Sequence, residues 1–105
     1  MSYVILEHIY KISNSLNDKP HFFAYFSLSS NKNSTLVFEE KSVEGLAKAV
    51  REQIDLLKMS RDKVEATFDN TRKYSDRGGT IKYQSPFSES EEKVFLQVLM
   101  EPRSE

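Results

Sequence analysis

Between Ser42 and Met59 the chain reads SVEGLAKAVREQIDLLKM, and its apolar positions recur at three- and four-residue spacing. Val43, Leu46, Ala47, Val50, Ile54 and Leu57 fall on one stripe, while Lys48, Arg51, Glu52, Asp55 and Lys58 fall mostly outside it. The pattern predicts an amphipathic helix over 42–59. Ser42 suits the N-cap, and Glu44 in the first turn complements the helix dipole. Gly45 stands where a capping-box glutamate would sit. A helix with one apolar stripe needs one surface to cover.

The segments before it alternate instead. Tyr3 to Ser13 places Val4, Leu6, His8, Tyr10 and Ile12 on one face of a strand and Tyr3, Ile5, Glu7, Ile9 and Lys11 on the other. Apolar groups on both faces predict a strand inside a sheet. Asn14 to Pro20 has turn chemistry. In His21 to Ser29, Phe22, Ala24, Phe26 and Leu28 face one way and Phe23 and Tyr25 the other. Ser29 to Ser34 reads as a hairpin loop and Thr35 to Glu39 as a third, short strand. Connections this short allow only an antiparallel meander.

After the helix, Lys63 to Phe68 alternates as a strand does, although Leu57, Arg61, Val64 and Phe68 also continue a helical spacing. Asp69 to Gly79 reads as a polar loop with two glycines, and Thr80 to Gln84 as a short strand that forms a second hairpin with 63–68. Pro86 ends it. Ser88 with Glu91 fits a capping box, and Val94, Phe95, Val98 and Leu99 make a stripe, so a short C-terminal helix is expected. Val94, Leu96, Val98 and Met100 also fit a strand. Arg103 to Glu105 reads as a frayed end. The expectation is a single α+β domain over 1–105: an antiparallel sheet of three to five strands, packed by one main helix and a second short helix.

Composition changes this picture little. The 105 residues are 38% hydrophobic and 30% charged, with seven Phe, five Tyr and no Trp, the balance of a globular domain whose core relies on large rings. Net charge is −1, so no global field steers the chain to nucleic acid or an anionic membrane. The absence of cysteine excludes disulfides, a thiol nucleophile and thiolate metal sites. The N-terminus lacks a positively charged start and a small-residue cleavage site. No apolar run approaches the roughly 20 residues of a spanning helix, and a cytoplasmic location is expected.

The chemistry-bearing residues form no constellation. His8 and His21 stand on neighbouring strands, but no third ligand accompanies them at a recognisable spacing. No serine lies in a nucleophile elbow. No metal, cofactor or enzymatic activity is expected. Arg72, Lys73, Arg77 and Lys82 interleave with Tyr74 and Tyr83, a composition that grips phosphate while aromatic faces stack on bases. No Lys-Ser/Thr follows the glycines, so a Walker-type loop is excluded, and a solvated hairpin tip accounts for the same residues. Phe23 and Tyr25 need a cover of their own, either the C-terminal helix or another protein. Glu89, Glu91 and Glu92 either steer a basic partner or serve the helix N-terminus.

Three strands followed by the SVEGLAKAVREQIDLL helix, within residues 1–60, resemble the partial RNase-H-like domain of HicB-type antitoxins, in which a strand meander precedes a helix of similar pattern. FEEKSVEG stands where that family has a proline- and glycine-containing segment. The resemblance implies a small cytosolic protein that neutralises another protein. The functional expectation is therefore a small non-enzymatic protein-binding protein: an immunity protein, antitoxin or other inhibitor. Its partner-binding residues would be Phe23, Tyr25, Arg72, Lys73, Tyr74, Arg77, Glu89, Glu91 and Glu92, and a homodimer is compatible with the same surfaces. The alternative is a nucleic-acid-binding module using the basic 72–82 loop.

Overall fold

Strand β1 (Val4–Ser13) is the axis of a six-stranded sheet. The computed structural model describes residues 2–14 and 18–101. Along one side of β1 runs the meander of β2 (His21–Leu28) and β3 (Asn31–Glu40), antiparallel throughout. The other side of β1 is shared. Its first half pairs in parallel with β4 (Val64–Phe68), and its last residues pair antiparallel with β6 (Thr80–Ser85), which in turn pairs with β5 (Lys73–Arg77). The expected α+β class, the main helix and the second C-terminal helix are all present.

Helix α1 (Val43–Leu56) carries the chain from the β3 edge to the far side of β1, which is why β4 arrives parallel. The expected hairpin between 63–68 and 80–84 is therefore replaced by a β1/β4 pair and a β5/β6 hairpin. The expected loop over Asp69 to Gly79 contains β5. In α1 the Ser42 hydroxyl accepts from the Gly45 amide at 2.9 Å, and Leu46, Ala47, Val50 and Ile54 are fully buried. The helix stops short of Met59. The Lys58 amide bonds to the Asp55 carbonyl and that of Met59 to the Ile54 carbonyl, with Lys58 at φ 56°. This is a Schellman ending built on a lysine, and it leaves Leu57 exposed.

Helix α2 (Glu89–Leu99) starts at the expected capping box of Ser88 and Glu91. Phe95 and Leu99 are buried in the same core as Val4, Leu6, Ile9, Phe22, Ala24 and Phe26. The two helices pack against each other on one face of the sheet. The Arg51 guanidinium bonds to the Val98 carbonyl at 3.0 Å. Arg61 forks onto both Asp55 oxygens at 3.2 and 3.0 Å and also donates to the Glu101 carbonyl.

Regular alternation in β1 fails at one place. Leu6 pairs with Phe26 and Ile9 with Ala24, so Glu7 and His8 together oppose Tyr25 in a β-bulge. The extra residue inverts the faces beyond it. Ile9, expected opposite Leu6, joins Leu6 under the helices, whereas His8 and Tyr10 turn to the helix-free face. Part of the expected turn at Asn14 to Pro20, and the expected fraying at Arg103 to Glu105, fall outside the described residues.

Candidate interaction surface

Neither helix covers the second face of the sheet, so the C-terminal helix is not the cover for Phe23 and Tyr25. These rings cover one another. Phe23 stacks on Tyr10 with centroids 5.4 Å apart and planes at 15°. Tyr25 lies 6.1 Å from Tyr10, and the edge of His8 meets it at 5.4 Å. The Tyr10 hydroxyl donates to that of Tyr25 at 3.3 Å. Tyr10 is 8% exposed, while Phe23 and Tyr25 are half-buried. Beside them on β3, opposite Tyr25, Val37 is 53% exposed.

A polar bridge closes one side of this layer. The Asp69 amide donates to the Ile9 carbonyl at 3.0 Å, fixing Asp69 where β4 leaves β1 and β6 takes over. One carboxylate oxygen lies 3.3 Å from His8 Nδ1, and the other accepts from Gln84 at 3.2 Å. Burial pushes the Tyr10 phenol pKa well above its ordinary value, and the Tyr25 hydroxyl and the Asp69 charge add to the shift. On the other side a groove of about 350 Å³ is lined by Ile12, His21, Phe23, Glu39 and Lys82. In it His21 Nδ1 lies 2.7 Å from Glu39.

The expected partner-binding residues thus separate into three places. Phe23 and Tyr25 are together on the helix-free face. Arg72, Lys73, Tyr74 and Arg77 lie at or on the edge strand β5, where Lys73 and Tyr74 are exposed. Glu89, Glu91 and Glu92 open α2 on the far side of the sheet. Glu91 is engaged internally, accepting from the Ser88 amide and the Lys11 ammonium, each at 2.8 Å. Partial burial works to raise its pKa, but these hydrogen bonds and the Lys11 charge outweigh it and hold the carboxyl below its ordinary range.

Sequence reading missed Tyr10 and Asp69 as members of this surface, and it turned His8 the wrong way relative to Leu6. The bulge carries no residue signature that would have revealed it. The arrangement offers rings, hydroxyls and two imidazoles, His8 and His21, each beside a carboxylate. Among the described residues no group of three or more His, Asp or Glu is placed to hold a metal ion, and no helix is long and apolar enough to cross a membrane. Comparison with protein-family models, with curated proteins and with solved structures finds no match.

Proposed function

We propose that the protein is a non-enzymatic binding protein that docks another protein on its helix-free sheet face and neutralises it, as an immunity protein, antitoxin or other inhibitor does. The observation that carries this reading is the ring layer of Tyr10, Phe23 and Tyr25. Phe23 and Tyr25 are held by the buried Tyr10 yet lie half-buried themselves, and among the described residues no helix or strand lies above them. Rings fixed before a partner arrives lose little conformational entropy on docking, and aromatic anchors of this kind dominate binding energy. Val37 and His8 extend the patch with apolar and hydrogen-bonding groups.

The test is a stoichiometric complex with a protein from the same cell, detected by light scattering after affinity capture. Tyr25→Ala and Phe23→Ala should each weaken that complex at least about tenfold, whereas Glu89→Gln on the opposite side should leave it unchanged. An affinity capture that recovers only nucleic acid, or a complex indifferent to both ring deletions, would overturn the reading.

A further inference from the structure

The β5–β6 hairpin has a form the rest of the fold does not require. Only Tyr83, Gln84 and Ser85 of β6 pair with β1, so the ribbon from Ser75 to Lys82 leaves the body of the sheet, with Lys73 and Tyr74 at its anchored base. Lys73 to Asp76 and Gly78 to Lys82 are all exposed, and Tyr74 is 64% exposed. Gly78 and Gly79, with φ of 62° and 87°, make the two-residue turn that suits the twist of a ribbon. The Tyr74 and Tyr83 rings, 5.9 Å apart, brace the two strands.

Register sorts the ribbon into two unlike faces. Lys73 opposes Gln84, and Ser75 opposes Lys82. Thr80 shares their side by alternation, so this face is a row of hydrogen-bond donors. Tyr74, Asp76, Ile81 and Tyr83 occupy the other. On the body Lys11, Arg51 and Arg61 pair with Glu91, Glu101 and Asp55. Among the described residues Arg72, Lys73 and Lys82 have no carboxylate partner, and neither have Lys48 on α1 and Lys93 on α2, so it is their place on one ribbon that sets them apart.

We propose that this ribbon, whose Lys82 borders the groove beside Phe23 and Glu39 at the margin of the helix-free face, binds a second partner by entering the major groove of duplex DNA with its Lys73 and Lys82 side toward the base edges. A two-stranded ribbon fits that groove, where lysine donates to guanine and serine or threonine to either partner of a pair. Same-face side chains repeat about every 6.8 Å along a strand, twice the roughly 3.4 Å spacing of successive nucleotides. Arg72, exposed just before β5, adds a cation for phosphate. The narrow major groove of an RNA duplex would exclude the same ribbon.

Fluorescence anisotropy with a mixed-sequence DNA duplex of about twenty base pairs tests this, beside the matching RNA duplex, a single strand and poly-glutamate. The DNA duplex should bind most tightly, with an affinity that falls steeply with salt. The double variant Lys73→Gln/Lys82→Gln should bind at least about tenfold more weakly, and Arg72→Gln should make the salt slope shallower by about one. Lys73→Arg/Lys82→Arg should restore binding, and Tyr25→Ala should leave it unchanged. Circular dichroism melting of each variant should match the parent. No duplex binding at about 50 mM salt, equal or tighter binding of any of the other three probes, or indifference to the Lys→Gln pair would overturn the proposal.

Discussion

Phe95 and Phe23 are the same residue type on opposite sides of one sheet. Phe95 is fully buried, with Phe68 and Phe87 packed around it at 5.8 and 6.2 Å. Phe23 rests on Tyr10 and keeps part of its ring in water. The contrast extends to all their neighbours. Every aromatic residue in or against the helix-covered core is a phenylalanine: Phe22, Phe26, Phe38, Phe68, Phe87 and Phe95. The helix-free layer holds Tyr10, Tyr25 and His8 beside its single Phe. A phenol needs a partner or water for its hydroxyl, and only the uncovered face provides both. The covered face supplies the bulk of the burial, whereas the uncovered one combines order with accessibility, as a docking surface requires.

The largest expected effect measures that difference directly. Phe95→Ala should cost about 3 to 5 kcal/mol, because it empties a site enclosed on all sides. Phe23→Ala should cost only about 1 to 2 kcal/mol, the share of a half-buried ring and one stack. Urea unfolding midpoints of the two variants compare them. Equal losses would mean that the helix-free face is a second core, and the docking reading would lose its basis.

A smaller effect separates the two faces by acid. The Lys11 to Glu91 pair fastens α2 to the covered face, and its carboxyl is held below the ordinary value of 4.5. A depressed folded pKa means stability that is present above the unfolded pKa and lost as pH falls through the folded one. Glu91→Gln should therefore flatten the loss of stability below about pH 4.5. Ser88→Ala, which removes the hydroxyl side of the cap and one of the contacts holding the Glu91 pKa down, should cost about 1 kcal/mol near neutral pH and less once Glu91 is protonated. An unchanged acid limb in Glu91→Gln would place the controlling carboxylates elsewhere.

The helix-covered side was largely legible in the sequence, since helix periodicity and capping are local signals. Ser42, Ser88 with Glu91, and the two apolar stripes all announce themselves within a few residues, although the first was carried one position too far, to Leu57, which the Schellman ending leaves exposed. The helix-free side was legible only as far as Phe23 and Tyr25. Its other members depend on a bulge at Glu7 and His8, and a single extra residue inverts a strand without altering its composition. Asp69 joins them only because β4 ends beside Ile9, a consequence of the α1 crossover. The ribbon escaped for a related reason. Lys73 to Arg77 has little apolar alternation because neither of its faces is covered, so pairing with β6 rather than burial defines it as a strand.

The smallest effect at neutral pH tests whether the ring layer is sealed. Tyr10→Phe removes one long hydroxyl contact to Tyr25, so its cost should stay within about 1 kcal/mol. The alkaline range is more telling. The folded-state pKa of Tyr10 lies above the ordinary value of 10.0, with burial as the main cause. The neutral phenol therefore contributes stability that is intact below about pH 10 and lost as pH rises toward the folded pKa. Urea midpoints measured above and below about pH 10 should fall less in Tyr10→Phe than in the parent. Tyrosinate absorbance should show one late-ionising phenol that the substitution removes. If the alkaline slope is the same in both, the Tyr10 hydroxyl is fully hydrated. Phe23 and Tyr25 would then be individually mobile rings rather than a preformed anchor, and the entropic advantage assigned to this face would disappear.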